Sequence, residues 1–353
     1  MKDIILTLDY ELYGNGSGDV FKHIIEPTEK ILHICQIYQA KMTIFFEVVE
    51  YWKLKEEWDK GNKMGYNENP IEAMERQIQN AYQNGHDVQL HLHPQWVEAQ
   101  WIDGEWHVKN EDWRLGGFKN NNPSAIFNLI KKGKETLEDI IRKVDEKYIC
   151  STLRAGGYNI QPSEEIVKAM KSLGMKIDCS IVPGAIEQGS LSQYDFSTIP
   201  NDLGYWECAE QLEEIGHSGI IEIPIVTFPI QRWKKYLSWE KILSIKQNKK
   251  SAINTFNAKT QGKKSPKSIL SKISFFFQNE YQTWDFCLFS NSLHRQYIEK
   301  ISTQSKRNVF TIVGHPKSFV NGKGFTYLLG KLSNKYCFIT ISEFLKSTNI
   351  GTE

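Results

Sequence analysis

With 353 residues, 40% of them hydrophobic, the chain can bury a large core without covalent staples. Lys and Arg number 43 against 42 Asp and Glu, so the overall charge gives no basis for a nucleic-acid partner. Cys35, Cys150, Cys179, Cys208, Cys287 and Cys337 contain no CxxC pair and are expected to be reduced and mostly buried. No apolar run reaches the length of a signal peptide or a transmembrane segment, which leads us to expect a cytoplasmic protein.

The first apolar run covers residues 4–8 and reads as a buried strand, followed by a helix over 27–40 that opens on Pro27. A second strand is expected at 42–48, a helix at 70–84 after Pro70, and a third strand at 88–92. Helices over 124–147 and 163–173 flank a short strand at 152–154. Further strands are expected at 177–181, 220–225, 310–313 and 336–340. Apolar strands alternating with amphipathic helices predict an α/β fold, a closed or nearly closed (β/α) barrel with its polar groups at the C-terminal strand ends. One domain over 1–353 is expected, interrupted by a Lys-rich insertion or cap at about 229–285. Its lysines, from Lys246 through Lys272, read first as a solvated face and only second as an anion-binding lid.

The polar residues at the strand ends carry the chemistry. Asp9 and Glu11 follow the first run at a spacing that turns both carboxylates the same way, an arrangement that a divalent cation and an arginine would stabilise. His91 and His93 share one face of the third strand and suit a single metal ion, whereas His86, in the turn before it, reads as structural. Arg154 ends the strand at 152–154 and is followed by Ala155, Gly156, Gly157 and Tyr158, a turn in which glycines permit close backbone approach to a ligand. His315, between Gly314 and Pro316, is a third histidine at a strand end and a candidate general acid. Trp96, Trp101, Trp106 and Trp113 offer either a sugar-stacking wall or a packed aromatic cluster.

Taken in order, strand-Asp-x-acid, the run from Gly85 through His91, Arg154-Ala155-Gly156-Gly157-Tyr158 and the late His315-Pro316 resemble the NodB-type polysaccharide deacetylases. His91-Leu92-His93-Pro94-Gln95-Trp96 is most similar to the WalW-like branch, associated with lipopolysaccharide biosynthesis. The resemblance implies a distorted, incomplete (β/α) barrel. It also implies Asp9 as catalytic base, Arg154 as its partner, His315 as general acid, and Glu11, His91 and His93 as metal ligands. Gly157, Tyr158 and Trp96 would contact substrate, and Asp178 is a further acid that the site could use. The chain departs from the family's pattern at Tyr10, which separates acids usually adjacent, at Gln95, where a histidine is usual, and at Gly156, where proline is common.

The activity implied is hydrolysis of the N-acetyl group of a sugar in lipopolysaccharide or another surface glycan, with anionic and lipid-linked glycans included. Zinc is the metal that two imidazoles and a carboxylate favour, although iron, cobalt and nickel accept the same set. Hydrolysis of another non-peptide C–N bond at the same metal, and a catalytically silent glycan-binding protein, are the alternatives.

Overall fold

The computed structural model describes residues 2–119, 122–247 and 277–348. Its main sheet is built from β1 (Lys2–Tyr10), β2 (Met42–Glu47), β3 (Asp87–Leu92), β4 (Thr152–Ala155), β5 (Ile177–Asp178), β6 (Trp206–Glu207), β7 (Ile221–Glu222), β8 (Val309–Gly314) and β9 (Tyr336–Phe338). The order is β6-β7-β5-β4-β3-β2-β1-β8, with β9 against the first residues of β1. Every pairing in the sheet is parallel except that of β6 with β7.

Buried residues on both strand faces explain why β2 and β8 read as nearly unbroken apolar runs, while β3 is buried on both faces although it carries Gln89 and His91. On β1 the alternation sends Tyr10 outward, where its hydroxyl donates to Gln77 at 2.9 Å. Thr7 and Asp9 turn inward instead, and Thr7 Oγ1 donates across the interior to the Ile312 carbonyl at 2.9 Å. Helices α1 (Glu26–Ile37), α2 (Val48–Asp59), α3 (Pro70–Gln83), α4 (Ala125–Ile141) and α5 (Glu164–Ser172) follow β1 through β4. The later helices are α6 (Trp239–Gln247), α7 (Asn291–Thr303), α8 (Lys323–Leu332) and α9 (Ile341–Ser347).

The sheet curls until its two ends meet. Past β7, Ile225 bridges Thr311 of β8 in the parallel sense, and Val226 N–H donates to the Thr311 carbonyl at 2.8 Å. Phe286 N–H donates to Val313, whose own N–H donates to Trp284. Two irregular segments therefore occupy the place of an eighth strand, and the barrel is distorted there. Pro224 contributes to this irregularity, because it has no N–H for a ladder. Arg307 stitches the seam: its buried guanidinium donates to the carbonyls of Val309, Asn201 and Pro224.

Most expected strands are present with boundaries shifted by one to three residues. The second run is a correction. It stops at Glu47, and Val48 and Val49 open α2, because the Glu47 side chain accepts from Val49 N–H at 2.9 Å and caps the helix without an intervening turn. The helix expected to reach 147 ends at Ile141. The six cysteines are free and five of them are buried, as expected. Within 229–285, a ribbon of Thr227–Gln231 with Asn279–Thr283 and helix α6 are described, while Lys249 through Lys272 lie outside the described residues. Among the described residues, no helix is long and apolar enough to cross a membrane.

Replacing Arg307 with Met would remove the guanidinium donor from two buried carbonyls and from the half-buried Asn201 carbonyl. The cost is expected to be about 2–4 kcal/mol of stability, measurable as a lowered midpoint in denaturant unfolding.

Candidate metal and catalytic site

Asp9, Glu11, His91, His93, Arg154 and His315 converge at the C-terminal mouth of the barrel, although they come from four strand ends far apart in sequence. Arg154 lies deepest, fully buried over the ring of Phe45 at 4.0 Å. Its Nη1 binds Asp9 Oδ1 at 2.5 Å and Thr7 Oγ1 at 2.9 Å, and its Nε donates to the Cys179 carbonyl at 2.8 Å. Burial by itself would raise the Asp9 carboxyl, but Arg154, His315 and His91 hold it well below the usual carboxylate range.

Both strand histidines have one ring nitrogen committed to an acceptor. His91 Nδ1 is 3.0 Å from the Arg154 carbonyl and donates to it, so in the neutral ring the lone pair falls on Nε2. That Nε2 is buried, has no hydrogen-bond partner, and stands 3.5 Å from Glu11 Oε2. His93 Nδ1 is 2.9 Å from Glu47 Oε2, and Glu11 Oε2 lies 3.0 Å from the same nitrogen. Ligand atoms of Glu11, His91 and His93 lie within 4.8 Å of one another, as do those of Asp9, Glu11 and His315. Lys317 holds the other oxygen of Glu11 at 2.7 Å. Lys317, His93 and His91 outweigh burial and keep the Glu11 carboxyl ionised.

His315 is the least buried of the set and faces the mouth, with Nε2 3.5 Å from Asp9 Oδ2 and Nδ1 2.9 Å from Asp285 Oδ2. Burial alone would lower its pKa, yet the hydrogen bonds to Asp285 and Asp9 carry it up to about 9. Gly157 and Tyr158 adopt consecutive left-handed conformations, with φ of 57° and 65°. Asn159 braces the turn by donating to the Gly157 carbonyl at 2.9 Å and to Ser192 at 3.1 Å. Burial raises the Tyr158 hydroxyl well above its ordinary pKa, and Asp9 adds to the effect.

Some candidates stand elsewhere. Trp96 is 1% exposed and packs edge-on against Trp106, while Trp113 is also buried, so the tryptophans form a packed cluster with only Trp101 partly open. Asp178 binds Ser180 and pairs with Glu222, and Ser180 in turn accepts from Ala155 N–H. Gln95 is buried beside Gly14. His86 is structural, its Nδ1 accepting from Met42 N–H. Sequence reading missed Glu47, Asp285 and Lys317. Glu47 carried a usable signal, an acid ending an apolar strand, whereas Asp285 follows no regular strand at all.

No family model matches the chain, and no curated protein matches it. Among solved structures it is similar to a Mycobacterium smegmatis protein assigned to the polysaccharide deacetylases, with 11% identity and a TM-score of 0.49 over 98% of this chain and 89% of that one. A Bacillus subtilis peptidoglycan deacetylase shares 11% identity at a TM-score of 0.34, covering 98% and 91%. A Thermococcus litoralis 4-alpha-glucanotransferase shares 12% identity at 0.44, over 98% of this chain and 38% of that one. These are likenesses of chain path at low identity, and the chemistry below is argued from the side chains.

A Cβ at Gly156 would overlap the His93 ring, so glycine there makes room for the histidine. Gly156→Ala is expected to displace that ring and weaken cation binding about 10–100-fold, as read by calorimetric titration.

Proposed function

We propose that this chain is a metal-dependent hydrolase of the NodB type that removes the N-acetyl group from a sugar of a surface glycan, lipopolysaccharide included. The observation that carries the reading is the convergence of Glu11, His91 and His93, three buried side chains whose ligand atoms lie within 4.8 Å of one another, with His91 Nε2 facing Glu11 Oε2 at 3.5 Å. Such a set of buried imidazole and carboxylate atoms fits a metal site. Glu11, His91 and His93 would hold the ion, with zinc as the first candidate. When bound, the ion supplies Lewis acidity toward the acetyl carbonyl oxygen and the attacking water.

The remaining work falls to groups whose charges the fold has set. Asp9, kept ionised by Arg154, accepts a proton from the attacking water. His315, kept protonated by Asp285 and Asp9, donates to the amide nitrogen as the C–N bond breaks, releasing acetate and the free amine. Lys317 fixes one oxygen of Glu11 and leaves the other toward His91. The half-buried Tyr158 and the Gly157 backbone would border the acetyl group. We place the whole of 1–353 in one catalytic unit, with the insertion at 229–285 as its cap.

Release of acetate from N-acetylated glycans, followed beside the metal content of each variant, tests the reading. Asp9→Asn is expected to retain the ion and lose turnover by a factor on the order of 10² to 10⁴, whereas His91→Ala is expected to lose the ion. Retention of both metal and activity in both variants would overturn the assignment.

The pH profile tests His315 separately. Its raised pKa means that the protonated form, and the stability of its ion pairs, is fully present below about 6.5 and is lost as pH rises through about 9. Asp285→Asn removes the largest of the raising contacts. The basic limb of kcat/KM is therefore expected to move to lower pH by about one unit or more.

A further inference from the structure

Tyr281 stands at the middle of the ribbon that pairs Thr227–Gln231 with Asn279–Thr283, opposite Pro229. It is 38% exposed, although its ring lies directly against the main chain of Gly184, where a Cβ would come within 2.5 Å of the ring. Gly184 has a φ of 77°, in the left-handed region, and belongs to the segment that follows β5. Glycine is thus required there twice, for the backbone conformation and for the approach of the ring. The ribbon holds an aromatic side chain against the loops of the mouth and leaves the rest of the ring open to solvent.

Two further tyrosines connect this ring with the catalytic groups. Tyr158, in the left-handed turn after β4, lies close enough to Asp9, Asp285 and Tyr194 for them to act on its hydroxyl. Tyr194 stacks on Phe196 with ring centroids 5.0 Å apart, and it feels the charge of Glu280, the chain neighbour of Tyr281. The same relation holds along the chain, because Asp285, which binds His315, follows Tyr281 by four residues. Four residues span at most about 14 Å, a reach of a short oligosaccharide. Tyr281 therefore marks the outer end of a succession of tyrosines that begins beside the proposed base and acid.

We infer that Tyr281 is the stacking platform of a glycan subsite distal to the acetylated sugar, where it binds the pyranose ring of an oligosaccharide chain. The inference rests on the glycan-hydrolase reading above and goes further by naming the substrate as a chain of sugars, not a single one. An aromatic ring presents an apolar surface to the C–H face of a pyranose while its hydroxyl stays wet. Tyr281 offers the exposed ring that Trp96, Trp106 and Trp113 bury in their own packing. It touches no reacting atom, so it strengthens ground state and transition state alike and is read in KM, not in kcat.

Two substitutions separate stacking from packing. Tyr281→Phe keeps a ring over Gly184, whereas Tyr281→Leu keeps an apolar contact there and removes the ring. The test uses the full chain. Calorimetric titration with cellotetraose, which carries no acetyl group, reports the subsite alone, and acetate release from N-acetylchitotetraose and from N-acetylglucosamine reports its use in turnover. For Tyr281→Leu the dissociation constant of cellotetraose and the KM of the acetylated tetramer are expected to rise about tenfold, with kcat unchanged and the single sugar unaffected. Tyr281→Phe is expected to stay within about threefold of the wild type on every measure.

Unchanged affinity for cellotetraose in Tyr281→Leu, or a wild type that does not bind it, would overturn the inference. So would an equal loss on the tetramer and the single sugar, the outcome of a merely structural role. If no acetylated substrate releases acetate while cellotetraose still binds through Tyr281, the hydrolase reading fails and the subsite stands.

Discussion

A guanidinium buried at the centre of a barrel must have every donor satisfied, and meeting that condition at Arg154 organises much of the mouth. Its side chain takes acceptors from β1 and from the segment after β5, joining Asp9, Thr7 and Cys179 into one network beneath the site. Its main-chain carbonyl holds His91 Nδ1, so one residue fixes both the proposed base and a proposed ligand. Breaking a buried pair of this kind by removing one partner costs about 3–5 kcal/mol. Loss of Arg154 should therefore damage the fold and the chemistry together.

The charges above Arg154 are arranged in matched sets. Asp9 has Arg154 and His315, Glu11 has Lys317, and His315 has Asp285, so each acid or base has its ionisation set by a neighbour from another part of the chain. Glu47 caps α2 through its helix amides, and its other oxygen lies 2.9 Å from His93 Nδ1. Asp178 and Glu222 are buried as a pair, and burial raises both carboxyls, Asp178 to about 6. The reactive charge is therefore confined to the mouth, with His315 the member most open to it.

The aromatic loop after β3 shows how burial can override composition. Four tryptophans within 18 residues look like a sugar platform, yet Gly14 and Gly16 let Trp113 and Trp106 close against the loop after β1, and Trp96 seals the underside.

The sequence by itself determined the barrel class, the strand ends and the six principal polar residues. Strands buried on both faces must be apolar, so a polar residue at their ends stands out without any knowledge of neighbours. Only the tertiary structure decided which group serves which. Glu47 is an acid next to the end of an expected strand, but its capping of α2 depends on a change of backbone direction that no local propensity announces. Asp285 and Lys317 become partners of His315 and Glu11 only when β8 closes against β1 and the irregular segments after β7. Ion pairs and pKa values arise here from contacts between residues 30 to 306 positions apart, and for these the spacing along the chain carries no information.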